Sequence, residues 1–139
     1  VSPVTLRPAA AGDVDPVLAL WRVAAENASR PDDRRAAVAA LLARDPEALI
    51  VAERDGALVG TVVAGWDGWR AHLYRLAVHP DHRRRGIARA LLEAAEARLL
   101  ALGAPRLDAM VLDGNELGQR IWAASGYARQ EDWSRWVKG

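Results

Sequence analysis

The 139-residue sequence predicts a single α+β domain, a mixed central sheet with helices on both faces. Three observations carry this. Residues 49–78 read as an antiparallel three-strand meander punctuated by two Asp-Gly turns. Residues 70–112 read as strand, helix, strand, which makes a right-handed crossover and a parallel strand pair. Apolar residues make up 51% of the chain, enough to bury a core at this length without cross-links.

Each element follows in chain order. Val4 to Arg7 alternates as a short strand and stops at Pro8. Asp15-Pro16 reads as an N-cap followed by proline at the first helical position, and Val17, Leu20, Trp21 and Ala24 recur at helical spacing. A polar loop leads to a second helix over about Arg34–Ala43, with Val38, Leu41 and Leu42 on one face. Leu49–Ala52, Ala57–Trp66 and Arg70–Val78 are strands joined at Asp55-Gly56 and Asp67-Gly68. From Gly86 the period is helical, with Ile87, Leu91, Ala95, Leu99 and Leu102 on one face, and Gly103 and Pro105 end the run. Arg106–Leu112 is a strand and Glu116–Ser125 a short helix ending at Gly126. Tyr127–Lys138 reads as one or two further strands. The predicted order is βααβββαβαβ.

Composition narrows the function. A net charge of +1 argues against bulk attraction to nucleic acid or membrane. There is no cysteine, hence no disulfide, thiolate nucleophile or zinc-thiolate site, and the three histidines lack a metal-ligand spacing. The first residues, VSPVTLRPAA, show no charged region followed by an apolar run, so no signal peptide is expected. No apolar segment is long enough to span a membrane. A cytoplasmic domain is the expectation, and the sequon Asn27-Ala28-Ser29 carries none. Lys138 is the single lysine among 19 basic residues. Such a bias in arginine usage means that arginine counts alone carry little argument.

One stretch stands out: HPDHRRRGIARALLEAAEARLL, residues 79–100. Arg83, Arg84 and Arg85 precede Gly86, which opens the helix. A helix N-terminus presents unpaired N–H groups and about half a positive charge, so it binds anions. Glycine and the small Ala88 let backbone close around phosphate, and the arginines add charge-assisted hydrogen bonds. A pyrophosphate is the natural ligand. Neither a Walker P-loop nor a dinucleotide-binding glycine fingerprint is present. A solvated basic turn, or one grazing nucleic acid, remains open from the tripeptide alone.

LAVHPDHRRRGIARALL resembles motif A of the GNAT superfamily of N-acetyltransferases, Arg/Gln-x-x-Gly-x-Gly/Ala, with Arg83, Gly86 and Ala88 in the patterned positions. TLRPAAAGDVDPVLALW is similar to that family's first strand and helix, and NELGQRIWAASGY to its later motif, so the resemblance covers essentially the whole chain. It implies a GNAT-like fold and acetyl-CoA as cosubstrate. The pyrophosphate would sit on the amides of Arg84, Arg85, Gly86, Ile87 and Ala88, with Arg89 just beyond. Pantetheine would pair with backbone at Leu76, Ala77 and Val78, where strands 70–78 and 106–112 splay apart. Asn115 matches the asparagine that contacts it. The implied activity is acetyl transfer to a primary amine by direct attack in a ternary complex.

Two positions depart from the family pattern. Trp122 stands where the family often has a tyrosine acid, and an indole N–H does not surrender its proton. Met110 stands where some members carry a glutamate base. Tyr74 is the candidate substitute acid, and His72 and His79 are candidate relays. Asp32, Asp33, Asp113 and Glu26 are uncommitted acids that turn or cap geometry explains equally. Trp21, Trp66, Trp69, Trp133 and Trp136 are expected mainly in core packing. The alternative is a catalytically weak acyl-CoA-binding or sensing domain. With only 13 residues after Gly126, part of the acceptor wall is expected from a second subunit of a homodimer.

Overall fold

The computed structural model describes residues 2–24 and 32–139. Glu26 and the sequon at 27–29 lie outside the described residues. Five strands form one sheet: β1 (Thr5–Pro8), β2 (Leu49–Arg54), β3 (Ala57–Trp66), β4 (Ala71–Val78) and β5 (Leu107–Ala109), in that spatial order. Neighbours from β1 to β4 are antiparallel, and β5 runs parallel to β4 as the crossover requires. The helices are α1 (Val14–Ala24), α2 (Arg35–Arg44), α3 (Ile87–Ala101) and α4 (Glu116–Ala124).

Period-two alternation sorts the strands onto two cores. Ile50, Ala52, Val62, Ala64 and Leu73 bury against Leu91, Leu92, Ala95 and Leu99 of α3 and Trp122 of α4. Leu49, Val51 and Val63 bury on the opposite face against Val17, Leu18 and Trp21 of α1 and Val38 of α2. The run LIVA in β2 is apolar at every position because both faces are covered. Each fully buried leucine contributes about 2 kcal/mol of transfer free energy. A Cβ on Gly60 would stand 3.0 Å from Leu91 Cδ1 and 3.2 Å from the Ala77 carbonyl. Glycine at that point therefore lets the start of α3 settle against the sheet.

Four expectations are corrected. Asp15 does not cap α1. The helix begins at Val14, after a 3₁₀ turn over Ala11–Asp13, and Asp15 instead accepts from Arg35 Nε at 2.9 Å. Leu102 is 46% exposed, because it is the C-cap residue of α3 and lies past the face that buries. The strand expected over Arg106–Leu112 shortens to Leu107–Ala109. No strand forms over Tyr127–Lys138. There Tyr127 is tied back to the helices, its N–H donating to the Trp122 carbonyl at 3.0 Å and its hydroxyl to Glu96 at 2.6 Å. The following residues pair with no strand, and Trp133, Trp136 and Val137 are exposed. Trp69 is exposed as well, so of the tryptophans expected in packing, Trp21 is buried and Trp66 only partly so.

The first strand is fastened by charge. Arg7 donates to Asp13 at 2.7 Å and 3.0 Å and to Glu53 at 3.0 Å. The hydrogen bonds from Arg7 hold the Asp13 carboxyl below its ordinary range; burial opposes them and the Ala10 N–H adds to them. A depressed carboxyl stabilises the fold above its unfolded pKa and loses that contribution as pH falls through the folded value. Asp13→Asn is therefore expected to cost about 1 kcal/mol at neutral pH and progressively less in acid, as pH falls through the depressed folded pKa. Urea unfolding at neutral pH and in acid checks this.

Candidate active site

The site begins with a break in strand β4. Opposite Thr61 and Val63 of β3 stand Ala77 and Tyr74, so β4 carries one more residue than its partner in this interval. That bulge centres on Arg75, whose φ is 53°. A left-handed arginine costs about 1–2 kcal/mol, and a buried relay holds it in place. Trp21 Nε1 donates to Thr61 Oγ1 at 2.8 Å, and Thr61 Oγ1 donates to the Arg75 carbonyl at 2.8 Å. The Arg75 guanidinium lies 5.5 Å from the Trp21 ring centroid and donates to Asp33 at 2.8 Å. Asp33 is thus committed to Arg75; α2 starts after Arg34 with no side-chain cap.

The bulge coincides with a split in the sheet. Pairing of β5 with β4 ends at Leu73 and Ala109, while β4 continues to Val78. From Tyr74 onward the outer edge of β4 has no neighbouring strand among the described residues, and Leu76, Ala77 and Val78 lie along it. An open edge of backbone donors and acceptors is what an extended amide chain pairs with.

At the far end of that edge the chain turns into α3. His79 Nδ1 accepts from the Asp81 N–H at 3.1 Å at the start of a 3₁₀ turn over Pro80–His82. His79 is therefore a turn residue, and its ring is not aimed at the split. Arg83 Nε donates to the Val78 carbonyl at 3.1 Å, bracing the turn against the strand. Arg84 has φ 63° and Gly86 φ 77°, so left-handed residues recur through the turn. This curls successive N–H groups into a concave nest. Gly86 is the N-cap of α3 and supplies no side-chain acceptor, leaving the first helical N–H groups open. Nothing lies within 4 Å of the position a Gly86 Cβ would take, so the cradle is roomy as well as positive. Arg84 and Arg85 are exposed beside it. Arg89 meets Glu93 at 3.2 Å in a surface pair, which holds it only weakly. Ile87 is buried and anchors the first turn, and Ala88 is half-buried.

Asn115 caps α4, its Oδ1 accepting from the Gly118 N–H at 2.8 Å. Tyr74 is 41% exposed, and burial of part of its ring pushes the phenol pKa up. It therefore keeps its proton at neutral pH. Trp122 is 8% exposed and packs edge-on against Tyr127 with centroids 4.9 Å apart, so the position serves the core. Met110 is exposed beyond β5. Asp113 meets Arg129 at 3.3 Å on the surface. Among the described residues no cluster of His, Asp or Glu is arranged to hold a metal ion, and no helix is long and apolar enough to cross a membrane.

Sequence reasoning missed the relay that shapes the site. Thr61 is the one polar side chain in the buried run of β3, fully buried among valines. A lone threonine in the segment LVGTVVA was the available signal.

The open edge of β4 thus leads, beside a bulge, into an uncapped helix start flanked by arginines. The Acetyltransferase (GNAT) family model matches residues 16–127, and the chain belongs to that family. An acetyltransferase of Yersinia enterocolitica, YE1169, is 38% identical over 120 residues, covering 86% of this chain and 84% of that protein. Two solved structures share the fold. AAC(6')-Iy, in complex with the bisubstrate analogue CoA-S-monomethyl-acetylneamine, aligns with TM-score 0.78 at 20% identity over 99% of both chains. The diaminobutyrate acetyltransferase EctA of Paenibacillus lautus, in complex with L-2,4-diaminobutyric acid and coenzyme A, aligns with TM-score 0.77 at 23% identity over 89% of this chain and 75% of that one.

Proposed function

We propose that this enzyme transfers an acetyl group from acetyl-CoA to a primary amine by direct attack in a ternary complex. The observation that carries the reading is the continuity of the open β4 edge with the Gly86 cradle, one surface for an amide arm ending in phosphates. AAC(6')-Iy and EctA, each solved with a coenzyme A moiety and an amine-bearing ligand, support it. Pantetheine pairs with backbone at Leu76, Ala77 and Val78, and Asn115 contacts it from the start of α4. The pyrophosphate rests on the N–H groups of Arg84 to Ala88, with Arg83, Arg85 and Arg89 supplying charge.

The acyl carbon then lies where the split opens, next to Leu73, the last residue of β4 paired with β5. The amine attacks the thioester carbonyl, a strand N–H near Leu76–Val78 stabilises the oxyanion, and the C–S bond breaks as Tyr74 protonates the thiolate. A spectrophotometric assay of thiol release against a panel of primary amines tests this. Tyr74→Phe is expected to lower kcat by about 100-fold while leaving the KM for acetyl-CoA within about twofold. Binding of acetyl-CoA without thiol release for any amine contradicts the transferase reading and leaves a binding domain.

A further inference from the structure

We infer that His72 is the general base of the reaction, and that the open face of β4 and β5 carrying His72 and Tyr74 receives an amine on an apolar stem. The inference rests on the proposed acetyl transfer and adds the acceptor side of the same site. Its basis is the alternation of β4. Ala71 and Leu73 are 1% exposed in the core under α3, so His72 and Tyr74 project from the opposite face, where both are exposed. Two residues apart on a strand, they stand about 7 Å from each other. They bracket Leu73, the last residue of β4 paired with β5. An acyl carbon held where the split opens is reached from that face.

The surroundings of His72 suit a base. Its neighbour across β3 is Gly65, over which the Tyr74 ring packs, 3.4 Å from the place a Gly65 Cβ would take. Its neighbour across β5 is Asp108, which accepts from Arg106 at 3.0 Å. Asp67, on the preceding turn, accepts from the N–H groups of Arg70 at 2.6 Å and Trp69 at 2.7 Å. Asp67 on the turn and Asp108 opposite on β5 bring carboxylates to this region of the sheet, Asp108 being paired with Arg106. Met110 and Leu112, both exposed beyond β5, and the Tyr74 ring supply apolar surface for the stem. The other two histidines are engaged elsewhere, His79 with the Asp81 N–H and His82 with Arg54 at 3.1 Å. The His72 ring makes no hydrogen bond among the described residues, so its lone pair is available.

The proton balance closes. His72 takes one proton from the ammonium, and the freed lone pair forms the N–C bond as the carbonyl electrons move to oxygen. On collapse the C–S bond breaks and the thiolate takes the Tyr74 proton. The phenolate recovers the second nitrogen proton, and His72 releases its own to solvent.

Two isosteric probes test this: butylamine, an ammonium at neutral pH, and O-propylhydroxylamine, already neutral there. His72→Gln is expected to lose about 100-fold or more in kcat/KM with butylamine and to stay within about threefold with O-propylhydroxylamine. Acetyl-CoA affinity, read by calorimetry, is expected to be unchanged. Equal losses with both probes, or no loss with butylamine, overturn the assignment of His72. A wild-type protein that binds acetyl-CoA yet acetylates neither probe overturns the acceptor face while the cofactor site stands. Failure to bind acetyl-CoA removes the proposed function, and this inference with it.

Discussion

Gly86→Asp abolishes acetyl-CoA binding, weakening it more than about 100-fold, or about 2.7 kcal/mol. Two effects add. The residue sits at φ 77°, which any side chain adopts at some cost, and its carboxylate would stand in the nest that receives the pyrophosphate. Like charges about 4 Å apart repel by roughly 4 kcal/mol at a protein surface, and the carboxylate would also occupy the open N–H groups of α3 as an N-cap. The folded state should survive, since nothing lies within 4 Å of the added Cβ. The expected result is lost binding with a melting temperature within a few degrees of the parent. Gly86→Ala, which adds strain without charge, should fall between the two.

The second large effect lies away from the ligand. Thr61→Val removes a hydroxyl that both accepts from Trp21 Nε1 and donates to the Arg75 carbonyl. Valine matches threonine in shape, so no cavity forms, but two polar groups lose their partner at a fully buried position. Each such group costs about 1–3 kcal/mol, and the expected loss of stability is about 2–4 kcal/mol. A chain of this size then melts roughly 6–12 °C lower. The left-handed Arg75 loses its brace, so the split between β4 and β5 is expected to relax and acetyl-CoA affinity to fall together with stability.

Much of this was legible in the sequence because the signals are local. The two Asp-Gly turns fixed the meander, and Gly103 and Pro105 ended α3 where periodicity lapsed. RRRGIA marked the start of α3 and its arginine flank, because charge and glycine at a helix start act within one turn. What escaped were long-range pairings. The Arg75 bulge is held by residues 14 and 54 positions away in the chain, Thr61 and Trp21, and no local pattern encodes that. The terminal residues look strand-like in isolation, but they pair with no strand, and Tyr127 at their start is tied to Glu96 of α3. Trp122 kept the helical spacing of its neighbours while its place in the core depended on α3 and Tyr127.

The account stands on one cofactor. Calorimetric titration of the purified protein with acetyl-CoA tests it most directly. Saturable micromolar binding at one site per chain, lost in Gly86→Asp, is the predicted result. Absence of binding, or binding that Gly86→Asp leaves intact, would contradict it and reduce the arginine-flanked start of α3 to a basic surface turn.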